Sequence, residues 1–208
     1  MITIENLEVV GLKPTIRGMR NPMNSWAKSD TTDYDNFLIG DQDHDLMMWL
    51  AKAGTDHAKY RRMLVVYMDI VAPLYWYKEF DTYKVGTVTN SCSTMHKIHS
   101  KPIELSDFSI EEIDINGTKS TELFGDVVKL CELLRQKYLE TKDPQYWRAL
   151  IQFLPESYNQ RRTVMLNYEV LANIYKSRKN HKLQEWRDFC ETMKEQLPDS
   201  ELFTMEGD

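Results

Sequence analysis

The longest periodic apolar pattern in the chain lies in its second half, and it constrains the fold more than any other feature. Apolar residues recur there at spacings of four and three, at Leu123, Val127, Leu130, Leu134 and Tyr138. Because residues at these spacings share one face of an α-helix, the pattern predicts a helix from about Thr121 to Thr141 that buries this stripe.

Cap signals place further elements after this helix. Asp143-Pro144 combines an N-cap with a proline at the first helical position, so a helix is predicted over "PQYWRALIQFL" until Pro155. The stretch "RRTVML" predicts a short strand, and Asn167 is interpreted as the N-cap of the helix "YEVLANIYKSRKN". A final amphipathic helix is predicted over "LQEWRDFCETMKEQL", ended by Pro198.

Two β-branched stretches in the first half predict strands. The first is "ITIENLEVVG", ended by Gly11 and Pro14, and the second is the buried "MLVVYMDIVA", ended by Pro73. Between them the sequence predicts a polar loop over "IRGMRNPMNSWAKSDTTDYD", a helix over "DHDLMMWLAKAG" and a short helix over "TDHAKYRR" capped by Thr55 or Asp56. In the loop, Arg17 and Arg20 are either solvated or available to an anionic ligand.

After Pro73, a helix is predicted from Leu74 to Phe80. The polar segment 102–120 is interpreted as an irregular insertion of unassigned role, with a turn at Asn116-Gly117. The sum of these elements predicts one domain over residues 1–208. Its fold class is α+β, with a small antiparallel or mixed sheet and a helical C-terminal half.

Composition excludes several classes of function. The net charge of -6 gives no nucleic-acid footprint, and no apolar run approaches the roughly 20 residues that span a bilayer, so a cytoplasmic protein is expected. The three cysteines form no C-x-x-C pair, which argues against both a disulfide framework and a thiolate zinc site. Cys131 and Cys190 are interpreted as buried helix residues, whereas Cys92 is left open.

Generic catalytic motifs do not occur in the sequence. It contains no G-x-S-x-G elbow, no phosphate-binding P-loop and no G-x-G-x-x-G fingerprint. His96 and His99 have a spacing that could ligate a metal, but no partner motif accompanies them, so they are interpreted as surface residues and no metal site is predicted.

Two blocks carry a more specific signal. In the first, a Gly-x-x-His corner and a buried strand precede "APLYWYKEFDTYKVGTVTNSCSTMHK"; the second is "LNYEVLANIYKSR" followed by "HKLQEWR". Their order and spacing over roughly residues 42–195 resemble the flavin-dependent thymidylate synthase (ThyX) family. That family has an RHRxxSxNExSxR motif and an N-x-R-x-x-x-N-x-x-x-x-R helix.

The resemblance implies a role for individual residues. It places His57, Lys84, Thr87, Asn167 and Asn173 near the flavin, and Asn90, Ser93 and Arg178 near the nucleotide, with Arg178 on its phosphate. The central motif is altered, because Thr82, Tyr83 and Lys84 stand where the family has RHR. Glu169 replaces an arginine in the second block, and no nucleophile or general base is evident.

The resemblance also implies an activity and its partners. It predicts FAD as cofactor, NADPH and methylenetetrahydrofolate as co-substrates, and reductive one-carbon transfer to dUMP to give dTMP. A homotetramer would carry the site between subunits. The alternative is a non-catalytic or substrate-shifted homologue that binds a flavin, a nucleotide or a protein partner.

Helical geometry and aromatic content leave two interpretations open. Asn167 and Arg178 lie about three turns apart on one face, whereas Asn173 points away, which is typical of a site between subunits or of a simple N-cap with surface residues.

The aromatic cluster is either packing or a stacking surface for a flavin or pterin ring. It comprises Tyr75, Trp76, Tyr77, Phe80 and Tyr83.

Overall fold

A computed structural model of the chain describes residues 2–32 and 37–205. Its helices and strands are, in order, β1 (Thr3–Val10), α1 (Leu12–Arg20), α2 (Asp41–Lys52), β2 (Val65–Pro73), α3 (Leu74–Phe80), β3 (Val88–Ser91), β4 (Asp114–Ile115), β5 (Thr118–Lys119), α4 (Ser120–Thr141), α5 (Pro144–Phe153), β6 (Asn159–Asn167), α6 (Tyr168–Arg178), α7 (Gln184–Gln196) and α8 (Glu201–Thr204). Short 3₁₀ helices lie at Asn21–Met23, Trp26–Lys28, Ala58–Met63, Asp81–Tyr83, Ile98–Ser100 and Leu105–Asp107.

The sheet is small and the second half of the chain is mostly helical. β1, β2, β6 and β3 lie side by side in that order, and β4 pairs with β5 in a separate antiparallel hairpin. This arrangement confirms the predicted α+β fold class. Among the described residues, no helix is both long and apolar enough to cross a bilayer.

The chain divides into two compact units. Of the described residues, unit 1 contains 2–3, 70–82 and 90–162, and unit 2 contains 4–32, 37–69, 83–89 and 163–205. The single domain over residues 1–208 stays a prediction.

The predicted loop over residues 16–35 is wrong at its start, because α1 occupies Leu12–Arg20. Pro14 lies in the first turn, where its missing N–H is not needed. Ile16 and Met19 are buried and hold the helix against its surroundings. Residues 33–35 of the predicted loop lie outside the described residues.

Gly11 makes the turn between β1 and α1. Its φ is +98°, and a Cβ added to it would lie 2.3 Å from the carbonyl oxygen of Met63. Both the left-handed backbone and the close approach therefore require glycine.

The predicted apolar stripe on α4 is only partly covered. Leu134 packs against the buried core, but Leu123 and Leu130 are exposed, and the fully buried positions are Val128, Cys131 and Arg135. The prediction was partly wrong because α4 has apolar residues on adjacent faces, and the segments that pack on it, α5 among them, decide which face is covered.

Local signals placed most other elements correctly. Asp143 accepts a hydrogen bond from the Gln145 N–H at the start of α5. Asn116 and Gly117 both have positive φ in the β4–β5 turn, as a two-residue hairpin requires. The predicted caps Thr55 and Asp56 are wrong, because the short helix is a 3₁₀ helix whose N-cap position is His57.

Packing accounts for the centre of the aromatic cluster. Trp76, Tyr77 and Phe80 are at most 1% exposed, and the rings of Trp76 and Phe80 stack at 4.9 Å between centroids. Within unit 1, the space around these three rings is thus filled by neighbouring side chains of the protein.

Three buried tyrosines donate their hydroxyl groups to backbone carbonyls. Tyr60 donates to Met47 at 2.8 Å, and Tyr168 donates to Pro198 at 2.6 Å, both in unit 2. In unit 1, Tyr77 donates to Ile70 at 2.8 Å. Each bond satisfies a buried phenol and fixes its helix to another segment of the same unit.

Candidate functional site

The loop 83–87 of unit 2 lies against the start of α6. A Cβ added to Gly86, whose φ is +84°, would come within 3.0 Å of Asn167 Nδ2 and 3.2 Å of Val170 Cγ2. Asn167 Oδ1 accepts the Val170 N–H at 3.1 Å, which confirms the predicted cap. The fold thus brings the predicted flavin residues Thr87 and Asn167 into adjoining segments.

Thr87 carries a polar atom that the chain leaves unused. Its Oγ1 is buried and has no hydrogen-bond partner within the part of the chain that the structure describes. A buried hydroxyl without a partner costs free energy, which a polar atom of a ligand would offset. Lys84, three residues earlier, is exposed and adds a positive charge to the same loop.

Arg178 is fixed by aromatic and polar neighbours. Its Nε donates to the Tyr83 hydroxyl at 2.9 Å, and Nη1 lies 3.0 Å from Nε2 of His181. The guanidinium carbon also lies 4.9 Å from the ring centroid of Trp186. These contacts hold the planar cation in one orientation, which suits recognition of an oxyanion.

A hollow of about 540 Å³ in unit 2, here called the basic cleft, contains the predicted flavin residue Asn173. Aromatic faces of Tyr175 and Phe203 line it together with basic side chains. The basic residues are Lys52, Arg61, Lys176 and Lys179.

Arg61 forms an ion pair with the residue that stands in place of the family's arginine. Its Nη2 lies 3.0 Å from Oε2 of Glu169, and both side chains are more than four-fifths buried. The two charges offset each other, so the net positive charge of the basic cleft comes from its lysines.

Sequence reasoning missed the basic cleft. The only local signal was the spacing of Lys176 and Lys179, which places both at the end of α6. Lys52 and Arg61 come from α2 and the following 3₁₀ helix, so folding alone brings them there.

His57 lies in a different hollow of unit 2, of about 750 Å³, beside Met19 and Tyr60. The His57 ring is exposed and tilts against Trp49 at 6.1 Å between centroids. Two of the predicted flavin residues, His57 and Asn173, thus line separate hollows.

The predicted nucleotide residues Asn90 and Ser93 belong to unit 1. Asn90 is exposed on β3, and Ser93 Oγ accepts the His96 N–H at 2.9 Å. Ser93 also lines a hollow of about 410 Å³ with three basic residues. They are Lys97, Lys101 and Arg161.

Arg20 and Arg162 each have partners within the chain. Arg20 is buried in α1 and donates from Nε to Asp43 Oδ1 at 2.6 Å, so the prediction that it lies in a loop, solvated or available to an anionic ligand, is wrong. Burial alone would raise the pKa of Asp43, but hydrogen bonds from Ser29, Thr31 and Arg20 outweigh it and lower that pKa. Arg162 lies 3.8 Å over the ring of Tyr77 and donates to Asp81 at 2.7 Å.

The fold is similar to that of flavin-dependent thymidylate synthases of known structure. The crystal structure of thymidylate synthase X (ThyX) from Helicobacter pylori with FAD and dUMP matches with a TM-score of 0.74 and 17% identity, over 99% of this chain and 98% of that one. A UMP/dUMP methylase, PolB from Streptomyces cacaoi bound with 5-Br dUMP, matches with a TM-score of 0.62 and 12% identity, over 98% and 95%.

These similarities confirm the predicted resemblance at the level of the fold. No protein-family model matches the chain, and no curated protein matches its sequence.

Proposed function

We propose that this chain is a flavin-dependent thymidylate synthase-like protein that catalyses reductive one-carbon transfer to dUMP, giving dTMP. The observation that carries the proposal is the match over nearly the full length of both chains to the ThyX crystallised with FAD and dUMP. Methylenetetrahydrofolate would donate the carbon unit and NADPH would reduce the flavin.

The loop 83–87 and the start of α6 are suited to a flavin. The unused Oγ1 of Thr87 offers one hydrogen bond, and the absence of a side chain on Gly86 leaves the loop backbone close to Asn167. Lys84 adds a cation, while His57 and Asn173 are assigned to the flavin by resemblance. Bound FAD would supply hydride transfer, and these side chains would bind and orient it.

Arg178 is proposed to bind the nucleotide phosphate. Its guanidinium is already oriented by Tyr83 and Trp186, so little side-chain entropy is lost when an oxyanion binds. Asn90 and Ser93 are proposed to contact the pyrimidine nucleotide through their amide and hydroxyl groups.

The first experiment measures flavin and nucleotide binding by the purified full-length chain. We expect a yellow flavin absorption spectrum, a rise in melting temperature with FAD and with dUMP, and tritium release from labelled dUMP in the presence of the co-substrates. A colourless protein with no melting shift by either ligand would contradict the proposal.

A matched pair of variants tests the phosphate assignment. Arg178→Ala is expected to weaken dUMP binding at least about tenfold, since a charge-assisted contact to phosphate is lost. Arg148→Ala, which removes an exposed arginine from α5, is the control and should bind as the unchanged chain does. If both variants bind dUMP with equal affinity, Arg178 does not bind the nucleotide phosphate.

The altered central motif favours a second function. Thr82 and Tyr83 replace a basic pair, and a lysine cannot reproduce the paired N–H geometry of an arginine. The chain would then be a non-catalytic or substrate-shifted homologue that binds a flavin, a nucleotide or a protein partner. Bound flavin without tritium release from labelled dUMP would favour this alternative.

We further propose a cytoplasmic homotetramer that binds neither nucleic acid nor membrane. In support of assembly, α4 leaves apolar side chains uncovered, with Leu123 at 53% exposed and Leu133 at 59%.

A further inference from the structure

Three potential metal ligands from distant parts of the sequence converge in unit 2. His44 lies in the first half of α2, Asp199 precedes α8, and Glu201 is the first residue of α8. The ligand atoms of these side chains all lie within 4.8 Å of one another. His44 Nε2 is 3.1 Å from Glu201 Oε1 and 3.8 Å from Asp199 Oδ1.

These separations are close to those expected around one ion. Ligands at about 2.0–2.2 Å from a tetrahedral zinc ion are about 3.3–3.6 Å apart. The separations of 3.1 and 3.8 Å lie just below and just above that range, and the third lies within 4.8 Å, so the side chains would rotate to bring all three atoms into place. One imidazole nitrogen and two carboxylate oxygens are donors that zinc accepts, and three protein ligands leave a position open.

The charges of the cluster favour a cation. Two carboxylates lie beside one imidazole, and a bound dication would offset both negative charges while the imidazole nitrogen ligates it.

The cluster of His44, Asp199 and Glu201 lies next to a segment that lines the basic cleft. The residues that follow Glu201 line the basic cleft, namely Phe203, Thr204 and Met205. A link between α2 and the start of α8 would therefore hold one side of that cleft in place.

We propose that His44, Asp199 and Glu201 form a binding site for a divalent transition-metal ion of the zinc class, which joins α2 to α8 beside the basic cleft. The site is independent of the proposed thymidylate synthase activity, since it uses none of the predicted flavin or nucleotide residues. Sequence spacing alone does not reveal it, because 155 positions separate His44 from Asp199.

The test titrates Zn²⁺ into the full-length chain after treatment with EDTA, by calorimetry and by thermal melting. We expect saturable binding at one site per chain and a higher melting temperature. Co²⁺ should bind in its place and give visible absorption bands of a low-symmetry site. Mg²⁺ should bind at least about tenfold more weakly, because it prefers an all-oxygen shell.

Matched variants assign the ligands. His44→Ala and Glu201→Gln should each weaken Zn²⁺ binding at least about tenfold, whereas His96→Ala and Glu195→Gln, which change exposed residues outside the cluster, should not. Circular dichroism in EDTA verifies that each variant is folded. If His44→Ala does not fold, the partly exposed Glu201 still allows the comparison.

Three results would overturn the proposal: no saturable Zn²⁺ binding by the unchanged chain, the same Zn²⁺ affinity in Glu201→Gln as in the unchanged chain, or equal affinity for Mg²⁺. The first two would leave the cluster as an ion pair that fixes the C-terminal segment, and the third would make it a general cation site.

Discussion

Arg178 combines a ligand-binding position with a structural one. The same guanidinium that is proposed to meet phosphate is bonded to Tyr83 and packed over Trp186. These contacts all lie within unit 2, so removing the guanidinium destabilises the fold even without ligand.

Replacing Arg178 should therefore destabilise the protein. We expect Arg178→Ala to lower the free energy of unfolding by about 1–3 kcal/mol, from the lost cation–π contact and hydrogen bond. Lys176→Ala, at an exposed position on the same helix, should change it by less than about 0.5 kcal/mol. Urea denaturation measures both, and equal values would mean that the aromatic neighbours do not stabilise Arg178.

The three cysteines should differ in reactivity. Cys92 is exposed, whereas burial raises the pKa of Cys131 and raises that of Cys190 to about 12. Because the thiolate is the reactive form, a thiol reagent should modify one cysteine quickly in the native chain and all three after denaturation. Cys92→Ser should remove the fast phase; a fast phase that persists would contradict the burial of the other two.

At the scale of elements, α4 is fixed to the segment before it by one carboxylate. Glu132 accepts hydrogen bonds from Arg135 Nε and Nη2, both at 2.7 Å, and from the backbone N–H of Ile103 at 2.9 Å. Arg135 also donates to the carbonyl of His99 at 3.3 Å. The helix is thereby held to residues 99–103 by a charged network.

This network should make stability depend on pH. The hydrogen bonds from Arg135, aided by those from Ile103 and Gln136, lower the pKa of Glu132 to about 2. Since the folded pKa lies below the ordinary value of about 4.3, the stabilisation is full above that value and is lost as pH falls toward 2. Glu132→Gln should cost about 2–3 kcal/mol at pH 7 and about half of that at pH 3, where the folded carboxylate is still mostly ionised.

The control for this prediction is on the same helix. Glu140 pairs with Lys137 on the exposed side of α4, so Glu140→Gln should leave the unfolding midpoint nearly unchanged at both pH values. If Glu132→Gln and Glu140→Gln lower the urea midpoint equally, the pH dependence of stability does not come from the Glu132 network.

Elements were predictable where one residue carries the signal. The caps Asp143 and Asn167 and the break at Pro73 lie where the sequence put them, because each acts on backbone within three residues. The buried face of α4 was not predictable, since tertiary neighbours, α5 among them, select between its apolar faces. Helix α1 was not predictable from Pro14, because proline both ends strands and occupies the first turn of helices.

At the scale of the whole molecule, the candidate site was only partly predictable. The segments of Thr87 and Asn167, both assigned to the flavin by resemblance, adjoin in unit 2, and their assignment to the flavin stays a prediction. The basic cleft and the His44 cluster were missed, because their members come from elements far apart in sequence. Contacts of that range depend on the tertiary fold, which a single sequence does not specify residue by residue.

The proposed tetramer can be tested by measuring the molecular mass of the protein in solution. We expect sedimentation equilibrium to give a tetramer, and Leu133→Glu, which places a charge on the exposed apolar side of α4, to lower the mass. The control Lys129→Glu introduces the same carboxylate on the same helix beside Leu133 and should leave the mass unchanged. A monomeric unchanged chain would contradict the tetramer, and a tetrameric Leu133→Glu would place the contact on another surface.

The buried tyrosine hydroxyls allow unfolding of the protein to be followed by ultraviolet absorbance. Burial raises the pKa of Tyr60, Tyr77, Tyr158 and Tyr168, so each stabilises the fold below the ordinary value of about 10 and ceases to do so as pH rises through its folded value. After a jump to strong alkali, the ultraviolet absorbance of phenolate should rise in a fast phase from accessible rings and a slow phase from these four. The slow phase should coincide with loss of helical circular dichroism, and Tyr77→Phe should reduce its amplitude by about a quarter. Ionisation of all rings before that loss would mean that solvent reaches the hydroxyls without unfolding.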